Sequence, residues 1–392
     1  MNQVNRIISL YSADVFGAVS ALFELGGMIV IHDPSGCNST YTTHDEPRWF
    51  DSKTLLYISA LTEKNAILGN DKRFINDVTE TALLQKPAFI ALLSAQMPAM
   101  LGIDMNGIAK VIEKNTNIKT FALPTTSMHD YSIGISLAIE KITDIIIEET
   151  NNPCSVKKRR GVNILGATPL DFYINGEDKA IINFFEKNNI SVISTFSMNT
   201  DMETLKKAHN AERNIVVTYG GLAAAKAMKA AWNIPYIIGL PIGKTGESIL
   251  NMIKTKKSGV AYKSYAKSSC KKTYLIHESV IAASLANALE NEINDKITVI
   301  NMTTTKKELM REGDEIFQNE DELEAKFKTA DLIIADPMYR PIAGDTKFIS
   351  LPHTAFSGRT YTVSRFIDLL VRIKKGAVKK TKFYFFHSPI IL

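Results

Sequence analysis

The stretch that decides the fold is IHDPSGCNSTYTTHDEP, residues 31–47. The apolar run before it, from Met28 to Ile31, predicts a strand, and Pro34 and Gly36 then end that strand in a tight turn. Cys37 therefore follows a strand end, which is where ligands bind in an open α/β sheet. A thiol in this turn is either an inert buried side chain or a ligand, and the pattern alone leaves both open.

The composition is that of an ordinary globular protein. The chain has 392 residues, of which 45% are hydrophobic and 22% are charged, and this length predicts two or three domains. The net charge is only +5, and its basic clusters at residues 157–160 and 374–382 do not belong to a nucleic-acid-binding motif. We therefore expect no nucleic-acid partner.

The cysteines and the apolar runs indicate the compartment. Cys37, Cys154 and Cys270 lie far apart and form no CxxC pair, which argues against a disulfide scaffold and fits a reducing environment. The N-terminus carries no secretory signal pattern, and no apolar run reaches the ~18 residues of a membrane span. We expect a cytoplasmic protein with no membrane contact.

Short apolar runs alternate with amphipathic segments along the whole chain. This alternation is typical of parallel sheets with helices on both faces. Polar segments at residues 149–160 and 254–272 interrupt it twice. The pattern thus predicts an α/β protein of three Rossmann-like, doubly wound parallel-sheet domains around a central cleft, with bounds at residues 1–155, 156–265 and 266–392.

The same pattern makes three predictions about single elements. It predicts a strand at Arg6 to Tyr11, a polar turn at Leu61 to Asn70, and a closing helix at Tyr361 to Ile373.

A histidine follows the last predicted buried strand. His353 lies in LPHTAFSGR, residues 351–359, with Arg359 at the end of the motif, and Arg340 follows the strand before it. Strand ends of neighbouring parallel strands meet at one edge of a sheet, so we expect His353, Arg359 and Arg340 to line the same crevice as substrate-contacting, catalytic residues. His353 is either a turn residue bonded to backbone or a ligand or proton donor, and both interpretations stay open.

The order of these segments resembles the component 1 superfamily of nitrogenase and nitrogenase-like oxidoreductases. IHDPSGC resembles the H-x-P-x-G-C turn of that superfamily, whose cysteine ligates an iron–sulfur cluster. LPHTAFSGR resembles the segment whose histidine holds the active-site metal cofactor. Three further segments resemble the family's intervening turns and strands, namely LTEKNAILGNDKRF (61–74), PAFIALLSAQMPAMLGID (87–104) and NIVVTYGGLAAAKAMKAAWNIPYIIGLPIGKTG (214–246).

The resemblance implies an electron-transfer function. An ATP-driven iron–sulfur reductase partner would deliver electrons through a cluster near Cys37 to a small-molecule or tetrapyrrole-type substrate in the cleft. Cys37 would be the metal ligand, and Pro34 and Gly36 would shape the turn that seats the cluster.

The sequence departs from the family pattern at several ligand positions. Leu56 and Gln96 stand where further cluster cysteines are expected, and no cysteine occurs at the position that anchors the iron–molybdenum cofactor, which we therefore do not expect. A [4Fe–4S] cluster needs ~4 ligands. The resemblance thus implies a cluster shared between subunits, in a homodimer or a heterodimer with a paralogous component 1 subunit, or one that takes a further ligand from an aspartate such as Asp33.

Two other functions remain open. The lost ligands favour a non-catalytic scaffold or cofactor-assembly subunit of the same fold. A weaker alternative is a small-molecule-binding protein, because such domains can close around ligands by hinge motion.

Overall fold

The computed structural model describes residues 5–34, 36, 46–49, 52, 54–69, 71–150, 159–263, 271–358 and 366. These residues form three sheets in which every named strand pair is parallel. No helix in these ranges is long and apolar enough to cross a membrane.

The first sheet has the strand order β2-β1-β3-β4. Its central strands β1 and β3 are buried along their whole length, as expected where helices cover both faces. Its strands are β1 (Met28–His32), β2 (Leu55–Ile58), β3 (Ile90–Ser94) and β4 (Thr120–Leu123). Its helices are α1 (Asp14–Leu22), α2 (Glu63–Leu68), α3 (Asp71–Gln85), α4 (Gln96–Leu101), α5 (Met105–Thr116) and α6 (Tyr131–Glu149).

The second sheet has the order β6-β5-β7-β8-β9, so that β5 lies between β6 and β7, the two strands that follow it in the chain. Its strands are β5 (Val162–Leu165), β6 (Val192–Phe196), β7 (Arg213–Val216), β8 (Tyr236–Ile238) and β9 (Gly259–Val260). Its helices are α7 (Pro169–Phe172), α8 (Glu177–Lys187), α9 (Met202–Leu205), α10 (Leu222–Trp232) and α11 (Gly243–Lys254).

The third sheet has the order β12-β11-β10-β13-β14. Its strands are β10 (Thr273–Leu275), β11 (Ile297–Asn301), β12 (Glu315–Ile316), β13 (Leu332–Ala335) and β14 (Lys347–Ser350). Its helices are α12 (Ser279–Ile293), α13 (Glu320–Phe327), α14 (Arg340–Ala343) and α15 (Thr354–Ser357). The predicted α/β fold with three Rossmann-like parallel sheets is confirmed, while the domain bounds themselves stay a prediction.

The predicted strand at Arg6 to Tyr11 is wrong. The backbone N–H groups of Arg6, Ile7 and Ile8 donate to one carboxylate oxygen of Glu320 at 2.9, 2.9 and 3.0 Å. Three successive N–H groups directed at one oxygen cannot form a strand ladder, in which successive groups point to opposite sides. The segment instead fastens the start of the chain to α13 in the third domain.

The predicted turn at Leu61 to Asn70 contains the short helix α2. The Thr62 hydroxyl accepts a hydrogen bond from the backbone N–H of Asn65, and Gly69 ends the helix with a φ of 68°. Side-chain capping and a left-handed glycine are ordinary helix boundaries. The polar composition, which suggested a turn, is therefore that of a short capped helix. The predicted closing helix at Tyr361 to Ile373 lies outside the described residues except for Phe366.

Helices α1 and α6 cross at two glycines with almost no space between their backbones. A Cβ atom on Gly17 would lie 1.9 Å from the carbonyl oxygen of Tyr131, and one on Gly134 would lie 1.7 Å from that of Asp14. The N–H of Tyr131 also donates to the carbonyl oxygen of Ser12 at 2.8 Å. Because only glycine permits this approach, the crossing fixes the position of Tyr131.

Helix α6 also joins the domains. The side chain of Ile135 contacts Gly220, close enough that a Cβ there would lie 2.3 Å from the Ile135 Cγ2. One buried apolar cluster extends from Leu93 in the first sheet through Leu165 in the second to Val280 on α12. This cluster therefore joins the first and second sheets to α12, and it includes Tyr131 at the amino end of α6.

We predict that Gly134→Ala destabilises the protein strongly. The added methyl group meets backbone atoms that cannot rotate away, so the loss in unfolding free energy should lie at the upper end of the ~1–3 kcal/mol typical of overpacking. Urea unfolding followed by circular dichroism measures it. Gly36→Ala is the matched control, since a Cβ there has no neighbour within 4 Å among the residues that the structure describes and its φ is not left-handed. Equal stability of the two variants would contradict the crossing argument.

Candidate functional site

Three ionisable side chains meet where strands of two different sheets end. Asp171 lies in the short helix α7 after β5, His277 follows β10, and His353 lies between β14 and α15. One nitrogen or oxygen atom of each lies within 4.8 Å of the others. All three residues are buried, with exposed fractions of 1–3%. Together with Tyr131, we call these residues the junction site.

Tyr131 connects Asp171 to His353. Its hydroxyl donates to Asp171 Oδ1 at 2.6 Å, and His353 Nε2 lies 3.0 Å from both that carboxylate oxygen and the Tyr131 hydroxyl oxygen. Above the Asp171 pKa of about 7, where the carboxylate is mostly ionised, a ring nitrogen this close to its oxygen carries the proton, because two lone pairs would repel. His353 therefore donates through Nε2 and keeps its lone pair on Nδ1.

The backbone of His353 is held by Asp336. The backbone N–H of His353 and the hydroxyl of Ser357 both donate to Asp336 Oδ2 at 2.7 Å. Burial raises the pKa of Asp336 to about 6. This carboxylate fixes the turn between β14 and α15, so the ring of His353 is oriented from both ends.

His277 stacks on His353 with 4.0 Å between the ring centroids and 15° between the planes. Its Nδ1 accepts a hydrogen bond from the backbone N–H of Glu278 at 2.8 Å. The neutral ring therefore carries its proton on Nε2. The Glu278 side chain accepts from the N–H groups of Val280 and Ile281 at 3.0 Å, so the start of α12 holds this arrangement in place.

Burial sets the charges of the junction site. It lowers the pKa of His353 to about 3 and lowers that of His277 well below its usual value, which also reflects the neighbouring His353 ring. It raises the pKa of Asp171 to about 7. Although the 3.0 Å distance between Asp171 and His353 suits an ion pair, removing both groups from water favours a neutral imidazole.

Several polar atoms of the junction site have no hydrogen-bond partner within the described part of the chain. They are Asp171 Oδ2, His277 Nε2 and His353 Nδ1, together with the neighbouring hydroxyls of Thr168 and Thr354. Buried polar groups are rarely left unpaired, because each costs about 1–3 kcal/mol. On the three ionisable side chains the unpaired atoms are one carboxylate oxygen, one imidazole lone pair and one imidazole N–H, which are groups that bind metal ions and their ligands.

The structure brings only one of the predicted catalytic residues into the junction site. His353 is central to it, whereas the exposed Arg340 donates to the carbonyl oxygen of Thr346 at 3.4 Å and lies over the Phe348 ring at 5.4 Å. Arg359 lies outside the described residues, as does the predicted metal ligand Cys37. Of the two residues predicted to shape the cluster turn, Pro34 is half-buried and Gly36 is exposed.

Sequence reasoning missed Tyr131, Asp171 and His277. Asp171 and His277 each follow shortly after a buried strand, the same signal that identified His353. That signal identifies the end of a strand, but it does not say which strand ends of separate sheets lie close together. Tyr131 begins a helix and carries no such signal.

A pocket of ≈ 300 Å³ lies apart from the junction site, at the end of β1, the strand that precedes the Cys37 turn in the sequence. His32 lines it at the end of β1, with its Nδ1 2.8 Å from the Ser59 hydroxyl and its ring stacked on Phe74. Burial lowers the pKa of His32 to about 4, so this ring is neutral near pH 7. Asp71 and Arg73 give the pocket a polar wall.

Comparison with known families decides the membership of the chain. Residues 14–252, more than half of the 392 residues, match the family described as nitrogenase component 1 type oxidoreductase. The chain belongs to this family. Members bind metal–sulfur clusters and form oligomers with paralogous subunits.

Similar proteins with curated names include nitrogenase subunits and proteins of cofactor biosynthesis. The nitrogenase iron-molybdenum cofactor biosynthesis protein NifE of Clostridium pasteurianum is 25% identical over 214 residues, covering 53% of this chain and 45% of that protein. NifE of Methanosarcina barkeri is 22% identical, with coverages of 53% and 46%. The nitrogenase iron-iron protein alpha chain of Rhodobacter capsulatus is 24% identical, with coverages of 48% and 36%. The chain therefore spans less than half the length of these relatives.

The likeness in three dimensions covers almost the whole chain. The solved structure of nitrogenase Cp1 at pH 6.5 has a TM-score of 0.68, with 17% sequence identity, and the alignment covers 96% of this chain and 94% of that one. At this identity the likeness shows a shared fold.

We predict that His353 makes the protein less stable in acid. In the unfolded chain a histidine takes up a proton near pH 6.5, whereas His353 in the fold does so only near pH 3. Stability should therefore fall as the pH decreases below 6.5, by ~1.4 kcal/mol per pH unit from this group. His353→Gln removes this contribution.

Urea unfolding at pH 7.5 and pH 5.5 measures the effect. The wild type should lose about 1 kcal/mol more unfolding free energy on acidification than His353→Gln does. The exposed His129 provides the control, since His129→Gln should behave as the wild type. An identical acid loss in wild type and His353→Gln would show that His353 titrates normally in the fold.

Proposed function

We propose that this component 1 type chain binds a metal–sulfur cofactor, or a precursor of one, at the junction site and serves in cofactor assembly. The observation that carries this proposal is the set of unpaired buried atoms on Asp171, His277 and His353. Protein interiors rarely retain unpaired polar groups, and a bound ion or ligand is one way in which such groups are satisfied. The group would be cargo, received and later passed on.

The donor chemistry supports temporary binding. The donors among the described residues of the site are imidazole and carboxyl groups, and all three cysteines lie outside the described ranges. A neutral imidazole adds no charge to the bond it makes with a metal, whereas a thiolate binds as an anion. Imidazole, the weaker of these two donors, therefore suits a subunit that must release its cargo. The names of the NifE relatives point the same way.

The chain's residues fit such a group in a defined way. His353 would hold a metal through Nδ1, because Asp171 and Tyr131 engage the opposite ring nitrogen. The stacked rings of His277 and His353 touch face to face, so a ligand must approach along the ring edges, where the lone pair and the N–H point. Bound there, the metal–sulfur group would be shielded from water by the surrounding core.

We predict that anaerobically purified protein carries iron and acid-labile sulfide, and that His353→Leu loses most of both. Leucine keeps the apolar volume but removes the lone pair on Nδ1. Iron and sulfide analysis after gel filtration measures the loss. His209→Leu is the control, since His209 is bonded to the carbonyl oxygen of Lys206 and lies outside the junction site. Metal-free wild-type protein, prepared beside its partner subunit, would refute the proposal.

Electron transfer is the second candidate function, and the pocket at the end of β1, the strand that precedes the Cys37 turn in the sequence, favours it. In this alternative a [4Fe–4S] cluster is ligated by Cys37 and shared between subunits, and an ATP-driven iron–sulfur reductase supplies electrons for reduction of a small-molecule or tetrapyrrole-type substrate. Cys37→Ala separates the candidates. If it removes the iron while Cys154→Ala and Cys270→Ala retain it, the cluster at Cys37 dominates.

An exposed apolar surface next to this pocket supports pairing with a second component 1 subunit. It comprises Ile67, Leu68, Met100 and Leu101, whose exposed fractions are 74, 69, 68 and 47%. Ile67, Leu68 and Leu101 also line the pocket. Contiguous apolar groups on a protein surface mark interaction sites, and family members form oligomers with paralogous subunits.

We predict that Met100→Glu dissociates the oligomer, because an unpaired carboxylate would have to be buried at the interface. Sedimentation of the anaerobic protein, alone and with a coexpressed paralogue, measures the assembly. Leu84→Glu is the control, since Leu84 is 78% exposed but lies at the far end of α3. A wild-type monomer in both preparations would rule out the interface.

A further inference from the structure

The two stacked histidines of the junction site expose opposite hydrogen-bonding groups although both carry the proton on Nε2. In His353 the Nε2–H is engaged by Asp171 and Tyr131, so the free atom is the lone pair of Nδ1. In His277 the Nδ1 lone pair is engaged by the backbone N–H of Glu278, so the free group is Nε2–H. The pair thus offers one acceptor and one donor from rings 4.0 Å apart.

We propose that His277 and His353 recognise their ligand at two points. His353 Nδ1 binds a metal, and His277 Nε2–H donates to a sulfide already bound to that metal. This inference rests on the proposed function for the metal at His353, and it assigns His277 a different task, that of selecting metal–sulfide groups over bare metal ions.

The charge balance of the site favours this selection. The three residues that could coordinate offer two imidazoles and a single carboxylate, that of Asp171. A bare divalent cation would therefore be buried with at most one compensating charge, which is costly. A sulfide brings its own negative charge and accepts the free N–H, which is itself costly to leave unpaired.

Coordination of one metal by both histidines fits the geometry less well. The lone pairs of an imidazole lie in the ring plane, and the two planes are inclined by only 15°. In-plane lone pairs of two nearly parallel stacked rings do not converge on one point. The Nδ1 lone pair of His277 is moreover already used by the Glu278 N–H.

The protonation pattern can be read without any metal. Nitrogen-15 spectra of the full chain labelled at histidine should show both rings protonated on Nε2 at pH 7.5. Tyr131→Phe, which removes one of the two groups that hold His353 Nε2, should shift the His353 signals and leave those of His277 unchanged. Tyr339→Phe is the matched control, because this buried tyrosine bonds to Tyr11 and not to His353. Protonation of His277 on Nδ1 would overturn the proposal.

Binding experiments then test the selection. The full chain is loaded anaerobically either with ferrous iron plus sulfide or with ferrous iron alone, and the iron retained after gel filtration is measured. His277→Leu removes the N–H and should lower retention of iron loaded with sulfide roughly tenfold or more. His277→Gln restores an N–H donor and should recover most of it. Iron loaded alone should not depend on His277.

The outcomes separate this inference from the proposed function. If wild-type protein retains iron with sulfide and His277→Leu retains equally much, the two-point recognition is wrong although the site binds metal. If His277→Leu also loses iron loaded alone, His277 is a metal ligand and the selection is likewise refuted. If wild type and His353→Leu both retain none, the proposed function itself fails.

Discussion

The glycine crossing of α1 and α6 is the constraint on which the junction site depends. With Gly17 and Gly134 facing backbone carbonyl groups, the two helices approach more closely than side chains allow, and the first residue of α6 is thereby placed between the sheets. Asp130, just before it, accepts from the backbone N–H and hydroxyl of Thr304 in the third domain at 2.7 and 2.6 Å. Tyr131 then reaches Asp171 of the second domain. One helix start thus binds all three domains together.

A cluster of buried polar groups normally reduces stability, and the junction site keeps its cost low by staying nearly neutral. The lowered pKa values keep both histidines neutral, and the pKa of Asp171 is raised. Little net charge is therefore removed from water. Three atoms still lack partners among the residues described. Replacing such a cluster by apolar side chains would often stabilise a fold, which is a physical reason to regard it as functional.

The parallel sheets could be predicted from the sequence because a buried strand is a local pattern. The strand predicted at Met28 to Ile31 from its continuous apolar run differs from β1 (Met28–His32) by one residue. His353 was found because it follows such a run. The contact of Glu320 with residues 6–8 could not be found this way, since more than 300 residues separate the partners.

The proximity of Asp171 to His277 and His353 could not be predicted from the sequence for a related reason. Each lies at a recognisable strand end, but whether two strand ends meet depends on how the second and third sheets are oriented by α6 and α12. That orientation arises from packing between domains, and no period in the sequence encodes it. The resemblance to a known family pointed to His353, yet it gave no signal for His277, whose ring is oriented by a hydrogen bond from the backbone N–H of Glu278.

The two candidate sites of the chain are physically connected by the loop between β4 and α6. The Thr125 hydroxyl donates to the carbonyl oxygen of Ser94 at 2.8 Å, at the strand edge of the first sheet. Further along, the N–H groups of Thr126 and Ser127 donate to the buried carboxylate of Asp14 at 3.0 and 2.7 Å. Four residues lie between the Thr125 anchor and Asp130, so one short segment connects the end of β3, which pairs with the end of β1, to the position of Tyr131. Whichever of the two proposed functions holds, a group bound at the first-sheet edge and one bound at the junction site would share this support.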